Sequence, residues 1–526
     1  SYTIDDFNIS NSKPTSNSNL LTIANNLTIT GTSTFSMIWT EGSTLSVGNS
    51  ITIGSGSTIT YASASTLGLE ITTPNLNIES GGSVNANYKG YAGGVSGQDG
   101  QGPGGGKHSG DSGGGAGYGG NGGVGKTTSA GGFAYGSLSQ PTDLGSGGGG
   151  GSGCTGGRGG GAIKLNISNT LIVNGSITSN GENGTTYYNS YYNYYYGGGG
   201  GAGGSIWIDV GTLSGSGIIS ANGGSSTARD YYPGDYPGGG GSGGRIAVYY
   251  TTSTFSGDYQ AYGGTGYRNG GAGVIYKKKD SQTEFDLIID NGNNIAESDT
   301  PLGTNNYTIN NLVIDYSKPT ITGSITVIDS INDIDYSTVT ISDTLTLPYS
   351  LTLSNNSTLS VTSLIVTYDI TVASGSNITH AAGSTSGLEI TAENLNIQSG
   401  AYVSVDSRGY AGGGYNHQPG SGPGAGEGTS SGGGGAGYGG NGGVGKTTSA
   451  GGSAYGSLTQ PTDLGSGGGT GYMSAYGGAG GGAVKLNISG TLIVDGSLTS
   501  NGEDGKAYGD DSGGGGSGGS IWINVN

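Results

Sequence analysis

The chain has 526 residues, of which 121 are glycine, about three times the usual share of roughly 7%. Only 10% of the residues are charged, the net charge is −18, and there is a single cysteine. This balance excludes nucleic acid as a partner, because 17 Lys and Arg side chains face 35 carboxylates, and it excludes a disulfide bond within the chain.

The first stretch, residues 1–88, is predicted to be rich in β-strands. Apolar residues alternate with Ser, Thr and Asn in short runs such as LLTIANNLTITGTSTF and STLSVGNSITIGSGSTITYAS. A period of two predicts strands that point Leu, Ile and Val inward and Thr and Ser outward. Phrases of the type NLNIESGGSVNA recur about every 20–25 residues, which favours a parallel β-solenoid over a sandwich or a barrel.

The next stretch, residues 89–280, is predicted to consist of glycine-rich excursions from successive coils. The strand pattern resumes after the glycine blocks in GGGAIKLNIS, GGSIWIDV and GGRIAVYY. Without a Cβ, extended chains with three residues per turn can pack closely and pair their backbone N–H and C=O groups. We therefore predict polyglycine II layers, with flexible loops as the open alternative.

A second repeat unit is predicted over residues 281–526, with a strand-rich part, 281–406, and glycine-rich excursions, 407–526. Residues 433–469 copy 113–149 with only two differences, Phe133/Ser453 and Ser139/Thr459. A flexible linker has no reason to be copied so closely, so the copy favours ordered glycine blocks in a tandem array. The second unit stops after SIWINVN, where the first continues, so we expect a truncated unit of a processed or longer array.

Two sequence phrases carry a resemblance to known proteins. GGGGAGGSIWIDVGTLSGSGIISANGG and GGGGSGGRIAVYY resemble large glycine-rich tandem-repeat proteins of microbial cell surfaces. The general layout resembles β-helical surface adhesins, and the glycine blocks resemble the polyglycine II sandwich of phage tail-fibre adhesins. The resemblance implies an extracellular or cell-surface location and no enzymatic activity. Solenoid ends without a polar cap favour self-association into fibres or continuation in a longer chain. Glycans or cell surfaces are expected as further partners. No apolar run reaches 18 residues, so no membrane span is predicted.

The phrase GNGGVGKTT, at 120–128 and again at 440–448, fits the phosphate-binding pattern G-x-x-x-x-G-K-[ST]. In that reading Gly120 and Gly125 would cradle phosphates, and Lys126 and Thr127 would contact phosphate and Mg²⁺. The motif needs an apolar strand before it and a helix after it, whereas GGGAGYG precedes it and SAGGFAYG follows. We interpret it as a chance match, and no cofactor is predicted.

No catalytic or transition-metal site is predicted, because the residues that would build one are scattered. The carboxylates and histidines in question are Asp5, Asp6, Glu70, Asp209, His108, His380 and His417. Calcium is a weaker alternative, since NGENG, NGEDG and DYYPGDYPGG offer oxygen atoms on turns. The other interpretation of these phrases is plain Asn-Gly turns.

Tyrosine dominates the aromatic residues, with 35 Tyr against 5 Phe and 3 Trp. The run TTYYNSYYNYYYGG is interpreted as a surface that contacts glycans, or alternatively as rings that cover the glycine layers. Its members are Tyr187, Tyr188, Tyr191, Tyr192, Tyr194, Tyr195 and Tyr196. Trp207 and Trp522 are expected to pack at the core or at a coil edge.

Asn-x-Ser/Thr sequons are frequent, and many are expected on outward-facing turns, where they would be available if the host glycosylates asparagine. They include Asn8, Asn26, Asn166, Asn174, Asn306, Asn356, Asn377 and Asn487.

The sequence therefore predicts an all-β extracellular structural protein, a segment of a fibre, stalk or surface layer with an adhesive role. Two alternatives stay open. Threonine-rich strands such as LTITGTST and SITIGSGSTIT would suit ice binding, and a β-helix with tyrosines would suit carbohydrate binding.

Overall fold

A computed structural model describes residues 3–17, 20–38, 43–62, 67–228, 230, 232–415, 417–446 and 449–526. Tyr231, Thr447 and Thr448, which belong to motifs discussed above, lie outside these ranges. The described residues form β-strands joined by turns and extended segments, and they include no helix that is long and apolar enough to cross a membrane.

The chain divides into two compact units. Unit 1 consists of Ser1–Leu302 with Leu312–Thr320, and unit 2 consists of Gly303–Asn311 with Ile321–Asn526. The repeat boundaries predicted from the sequence, 1–280 and 281–526, remain a prediction about the repeat rather than about these compact units.

Unit 1 contains the strands β1 to β21. They are β1 Thr3–Ser10, β2 Thr15–Ser16, β3 Leu20–Thr30, β4 Thr34–Met37, β5 Ser43–Val47, β6 Ser50–Ile53, β7 Thr58–Tyr61, β8 Leu69–Ile78, β9 Ser83–Asn85, β10 His108–Ser109, β11 Ser112–Gly113, β12 Ala162–Val173, β13 Ser176–Thr178, β14 Thr186–Asn189, β15 Tyr194–Gly197, β16 Ser205–Ser214, β17 Ile218–Ser220, β18 Arg245–Ser253, β19 Asp258–Gln260, β20 Val274–Lys279 and β21 Phe285–Asp290.

Three strands follow where residues of the two units alternate along the chain: β22 Thr300–Gly303, β23 Tyr307–Asp315 and β24 Pro319–Ile321. Unit 2 continues with β25 Ile325–Ile331, β26 Ile334–Asp335, β27 Thr338–Leu347, β28 Leu351–Ser354, β29 Thr358–Val366, β30 Asp369–Val372, β31 Asn377–Thr379, β32 Leu388–Ala392, β33 Asn394–Ile397, β34 Tyr402–Ser404, β35 Ala483–Ile488, β36 Leu492–Val494, β37 Ser497–Thr499, β38 Ala507–Tyr508, β39 Asp511–Ser512 and β40 Ser520–Val525.

Two series of parallel strands build unit 1. In one series, β1, β3, the pair β5 and β6, β8, β12, β16, β18 and β20 follow one another in parallel pairing, and β21 joins β20 in antiparallel pairing. In the other, β2, β4, β7, β9, β13, β17 and β19 are paired in parallel. The prediction of an all-β fold is confirmed, and its sheets are mostly parallel.

Residues from both series of strands form the core of unit 1. Along each series, apolar side chains of successive strands stand in register. In the first series Leu27, Ile51, Leu76, Leu171 and Leu213 oppose one another in turn, and each is at most 1% exposed. In the second series the corresponding row is Phe35, Ile59, Val84, Ile177 and Ile219. Both rows belong to one apolar cluster, as the period-two pattern predicts.

The glycine blocks are inserted between strands that pair. Ile51 opposes Leu76 after 25 residues, but Leu76 opposes Leu171 only after 95, because the longest glycine block intervenes. Unit 2 follows the same plan: Thr338 opposes Thr358 after 20 residues, while Leu395 opposes Leu492 after 97. The strand pairing thus continues across each block as if the block were absent.

Candidate functional site: the glycine network

The glycine blocks are ordered by backbone hydrogen bonds. We call the bonded glycine segments between residues 90 and 273 the glycine network of unit 1, and those between 409 and 519 the glycine network of unit 2. In segment 197–204 every backbone N–H donates to a carbonyl oxygen at 2.7 to 3.0 Å. Every third N–H group donates to the same neighbouring segment. Gly197, Gly200 and Gly203 donate to segment 236–242, Gly198, Gly201 and Gly204 donate to segment 179–185, and Gly199 and Ala202 donate to segment 146–149.

Segment 113–119 is the most enclosed part of this network. Its backbone exchanges hydrogen bonds with six other segments, through Gly104 and Lys107, Gly123, Gly132, Gly149, Gly200, and Gly239 and Ser242. Its donors also repeat every third residue: Gly114 and Gly117 donate to one neighbour, and Gly115 and Tyr118 donate to another. A chain that turns once every three residues presents its N–H groups in this way.

Glycine is required in the network because the neighbouring backbones approach too closely for a side chain. A Cβ at Gly199 would lie 1.9 Å from the carbonyl oxygen of Gly114, and one at Gly239 would lie 1.9 Å from that of Gly123. Both oxygens belong to bonded backbone, so they cannot move aside as the tip of a flexible side chain can. The hydrogen bonds offset the large conformational entropy that glycine loses on ordering.

The network of unit 2 repeats the donor pattern of unit 1. Gly434, Gly435, Ala436, Gly437 and Tyr438 donate to Glu427, Gly443, Gly515, Gly424 and Gly440. Their counterparts Gly114 to Tyr118 donate to Lys107, Gly123, Gly200, Gly104 and Gly120. The copied sequence therefore encodes a copied hydrogen-bond pattern, which is what the close repeat predicts if the blocks are ordered.

Tyr118 connects the glycine network of unit 1 to its strands. The Tyr118 hydroxyl, fully buried, lies 2.6 Å from Ser205 Oγ at the start of β16, and its ring lies 4.8 Å from the ring of Tyr135. Burial raises the pKa of the Tyr118 hydroxyl, so the group stays protonated and can donate. Unit 2 repeats the contact between Tyr438 and Ser520 at 2.6 Å. These contacts were not predicted, although the phrases that hold them, AGYGG and GGS, recur in both halves of the sequence.

Asparagines align the glycine segments where these leave the strands. Asn87 Oδ1 accepts the backbone N–H of Asn180 at 2.7 Å, and Asn180 Oδ1 accepts that of Asn222 at 2.7 Å. Asn183 Oδ1 likewise accepts the N–H of Ser225 at 2.7 Å. The NGENG phrase thus places its asparagine oxygens on neighbouring backbones and lies in an extended segment, so the prediction of an Asn-Gly turn is wrong at this phrase.

The carboxylates of the predicted calcium phrases do not form a cluster of ligands in the described residues. The carboxylate of Asp235, in DYYPGDYPGG, is buried and accepts the backbone N–H groups of Tyr195 and Tyr232 at 3.0 and 3.1 Å. Within the described ranges, no group of three or more His, Cys, Asp and Glu side chains converges. His108 binds the carbonyl oxygen of Gly150 through Nδ1, and His417 lies beside Tyr472.

The P-loop-like phrase takes part in the network. The N–H of Gly123 donates to Gly240, that of Gly125 to Ser129 and that of Lys126 to Pro237. Lys126 Nζ pairs with Asp230 at 2.6 Å, and Thr127 Oγ1 lies 2.6 Å from Ser112 Oγ. These N–H groups are therefore engaged with carbonyl oxygens rather than grouped around a phosphate-sized space. The chance-match interpretation stays a prediction.

The tyrosine run forms a hairpin of β14 and β15. Tyr187 and Tyr188 are each 45% exposed, Tyr191 86% and Tyr192 57%. Tyr194 and Tyr195 are half-buried, and Tyr196 is buried with its ring stacked on Tyr236 at 5.5 Å. Some rings of the hairpin therefore pack against other tyrosines while others face solvent. The interpretation of the run as a surface that contacts glycans stays a prediction.

A surface cluster on the strands occurs in both units. In unit 1, Lys164 Nζ pairs with Glu70 at 3.0 Å and lies 4.7 Å from the centre of the Trp207 ring. In unit 2, Lys485 pairs with Glu389 at 2.9 Å and lies 4.9 Å from the centre of the Trp522 ring. The hydrogen bond and charge of Lys485 hold the pKa of Glu389 below its usual value. Both tryptophans are half-buried on the strand surface, as expected for packing at an edge.

The sequons divide into two groups in the structure. Asn8, Asn174, Asn306 and Asn356 are exposed, whereas Asn26, Asn166, Asn377 and Asn487 are half-buried. Asn166 and Asn487 donate from Nδ2 to Glu70 and Glu389 at 2.8 and 2.7 Å. A glycan attached to either nitrogen would have to replace this bond. Whether any sequon is glycosylated stays a prediction.

Threonine rows on the strands are short. Thr28 opposes Thr52, but the next residue in the row is Asn77 and then Ile172. Thr170, Thr212 and Thr252 form a row of three on β12, β16 and β18. The ice-binding alternative stays a prediction.

Cys154 gives a chemical test of order in the glycine network. It lies in GSGCTGG, is fully buried, and its thiol donates to the carbonyl oxygen of Tyr196 at 3.0 Å. Burial raises the pKa of the thiol to about 11, and only the thiolate reacts with alkylating reagents. We expect a maleimide at pH 7.5 to label Cys154 about 100-fold more slowly in the native chain than in denaturant.

Mass spectrometry of the labelled chain measures this difference. The control variant carries Cys154→Ser together with Ser190→Cys at the exposed tip of the tyrosine hairpin, and should react quickly in both states. Fast native labelling of Cys154 would mean that this block is not ordered in solution.

In comparisons with known proteins, no family model, no curated protein and no solved structure matches this chain.

Proposed function

We propose that the chain is an extracellular structural protein, a segment of a fibre, stalk or surface layer built from repeated units, with an adhesive role. In this proposal each unit is a parallel β-solenoid, and its glycine network is a bundle of polyglycine II helices beside the coils. No reaction and no cofactor are part of the proposal.

The three-residue period of the donors in segment 197–204 is the observation that carries the proposal. A polyglycine II bundle is held by bonds between chains instead of by a thick apolar core, so it suits a thin, stiff body. The in-register rows of Leu and Ile support the solenoid, because each coil buries its apolar residues against the next. An acidic, charge-poor surface with one buried cysteine fits an exposed extracellular material.

Cryo-electron microscopy of native material that carries this chain tests the proposal. Thin continuous fibres with strands stacked along the axis and ordered glycine layers beside them would support it. Discrete particles with featureless glycine regions would contradict the fibre and would favour a surface-bound binding module.

A second candidate function, glycan binding, rests on the tyrosine hairpin. Tyr191 and Tyr192 are exposed, and their rings meet edge to face at 4.8 Å. Rigid aromatic surfaces of this kind suit the apolar faces of sugar rings. We expect the double variant Tyr191→Ala/Tyr192→Ala to lose binding on a glycan array about tenfold or more, since each aromatic contact contributes roughly 0.5–1.5 kcal/mol.

The control variant for glycan binding is Tyr349→Ala/Tyr368→Ala, which removes two tyrosines of unit 2 that are 51% and 48% exposed. It should bind as the parent chain does. Equal binding by all three proteins would remove the hairpin from consideration as a glycan site, and circular dichroism would show whether each variant is folded.

A further inference from the structure

The tyrosine hairpin of unit 1 places two phenol rings side by side on facing strands. Tyr188 of β14 opposes Tyr195 of β15, and their ring centres lie 4.9 Å apart with the ring planes at 40°. Directly opposed residues of an antiparallel pair have adjacent Cβ atoms, so their side chains meet on one face of the hairpin. The strand register therefore brings these two rings into contact.

Both strands of the hairpin are anchored to neighbouring segments. On β15, the backbone N–H of Tyr195 donates to the carboxylate of Asp235 at 3.0 Å, and its carbonyl oxygen accepts the N–H of Tyr236 at 2.7 Å. On β14, Thr186 Oγ1 lies 2.7 Å from Thr227 Oγ1. These contacts hold the strands in the register that pairs the rings.

An oxidant in solution can reach this pair of rings. Tyr188 is 45% exposed, and Tyr195 is half-buried. The Tyr188 hydroxyl donates to Asn193 Oδ1 at 2.6 Å, in the exposed loop between the strands. The phenol proton therefore lies close to solvent and can leave when the ring is oxidised.

Two other close tyrosine pairs of unit 1 lack this combination of contact, exposure and orientation. The ring of Tyr118 lies 4.8 Å from that of Tyr135, but Tyr118 is fully buried. Tyr191 and Tyr192 are also 4.8 Å apart, but their rings are perpendicular and they are neighbours in the chain. The hairpin of β38 and β39 in unit 2 carries a single tyrosine, Tyr508. The facing pair is thus a particular feature of the hairpin in unit 1.

We propose that Tyr188 and Tyr195 form an oxidative cross-link, a carbon–carbon bond between the ring carbons next to their hydroxyl groups. Each phenol gives up one electron and one proton, and the two phenoxyl radicals join at these carbons. The hydrogen on each joined carbon then moves to the oxygen of its ring, which restores both phenols. Hydrogen peroxide, used by an external peroxidase, takes up the two electrons and two protons and becomes two molecules of water.

The bond would close the hairpin covalently across the loop of residues 190–193. Two groups held in contact react far faster than groups on separate molecules, because no encounter has to occur. The chain has one cysteine, so a disulfide within the chain cannot serve this purpose. The inference deepens the proposed structural function and rests on it for an extracellular setting that contains peroxide.

The test oxidises the whole chain, at micromolar concentration, with hydrogen peroxide and a haem peroxidase. Chymotrypsin then cuts the loop after Tyr191 and Tyr192, and mass spectrometry identifies the products. The fragments that carry Tyr188 and Tyr195 should stay joined, with a mass two hydrogens below their sum. Denaturation before oxidation should lower this product about tenfold or more, because the rings are then no longer held in contact.

Three conservative variants make the test specific to the pair. Tyr188→Phe and Tyr195→Phe keep the ring but remove the hydroxyl, so each should abolish the joined product. Tyr187→Phe is the matched control, because Tyr187 is the neighbour of Tyr188 but opposes Tyr196, and it should keep the product. Circular dichroism shows whether each variant is folded.

A joined product that both single variants lose and the control keeps would support the inference. If the native parent gives no joined product, if the native and denatured chains give equal amounts, or if the product survives in Tyr188→Phe, the cross-link is overturned. The structural function would then still stand, because cryo-electron microscopy of the native material tests it independently of any oxidation.

Discussion

Gly200→Ala is expected to open the glycine network of unit 1 locally, while the same change at the equivalent position of unit 2, Gly515→Ala, is expected to be mild. A Cβ at Gly200 would lie 1.8 Å from the carbonyl oxygen of Gly224 and 2.9 Å from the nitrogen of Gly241. A Cβ at Gly515 would meet only the oxygen of Glu503, at 3.8 Å, which is ordinary contact.

The physical reason is that the alanine methyl must displace a bonded backbone. Gly200 donates to Gly239 at 3.0 Å and accepts from Ala116 at 2.9 Å, so a shift breaks bonds on several sides. Overpacking usually costs about 1–3 kcal/mol, and lost buried hydrogen bonds add to it. We expect a loss of about 3 kcal/mol or more in the free energy of local opening, and a change within about 0.5 kcal/mol at Gly515.

Hydrogen exchange with mass spectrometry measures both effects on the whole chain. Peptides that cover 197–204 and 221–226 should exchange about 100-fold faster in Gly200→Ala, because every 1.4 kcal/mol is a factor of ten. In Gly200→Ala, peptides from unit 2 serve as the internal reference. Gly515→Ala is the matched control variant. Similar, small changes in both variants would show that the close backbone approach does not exist in solution.

The strand-rich parts were predictable because their information is local. The alternation in LTIT and SITI places Leu27 and Ile51 inward and Thr28 and Thr52 outward, and the structure has this arrangement. The predicted spacing of about 20–25 residues also agrees with the 25 residues that separate Ile51 from its partner Leu76. Side-chain period and turn residues are enough for such elements.

The partners within the glycine network were not predictable from the sequence. The sequence GGGGGAGG does not show which carbonyl oxygen accepts the N–H of Gly199 or Gly200. Each bond joins segments far apart in the chain, and no side chain specifies the acceptor. The sequence hints were the residues other than glycine within the blocks. Ala202, Ser146 and Tyr118 lie where the network has room for a side chain or offers it a polar partner. The asparagine rows were likewise read as turns, although Asn87, Asn180 and Asn222 are aligned one upon another.

The last contrast between the units concerns a buried ionisable group. Tyr61 in unit 1 accepts the backbone N–H of Ala162 at 2.8 Å. The equivalent residue of unit 2 is His380, fully buried, whose Nε2 faces the N–H of Ala483 at 3.4 Å and whose Nδ1 lies 2.8 Å from the carbonyl oxygen of Ala381. The neutral imidazole that fits these contacts carries its proton on Nδ1 and accepts at Nε2.

Acid is therefore expected to destabilise unit 2 around His380 more than unit 1 around Tyr61. Burial, with a smaller contribution from the nearby Arg408, lowers the pKa of His380 below its ordinary value of 6.5. Below pH 6.5 the unfolded chain binds a proton that the folded chain rejects, so the stability from this group is complete above pH 6.5 and falls as the pH falls. One proton limits the slope to about 1.4 kcal/mol per pH unit.

His380→Tyr, which installs the residue of unit 1, should remove this component of the pH dependence. Protection factors from hydrogen exchange at pH 7.5, 6.5 and 5.5, corrected for intrinsic rates, measure it for peptides around 376–405 and 483–488. Peptides around 57–86 and 162–167 provide the reference in the same sample. If acid lowers protection equally in parent and variant, carboxylates rather than His380 determine the acid response. If only the parent responds, the tyrosine-to-histidine exchange between two otherwise similar units is what makes one of them sensitive to pH.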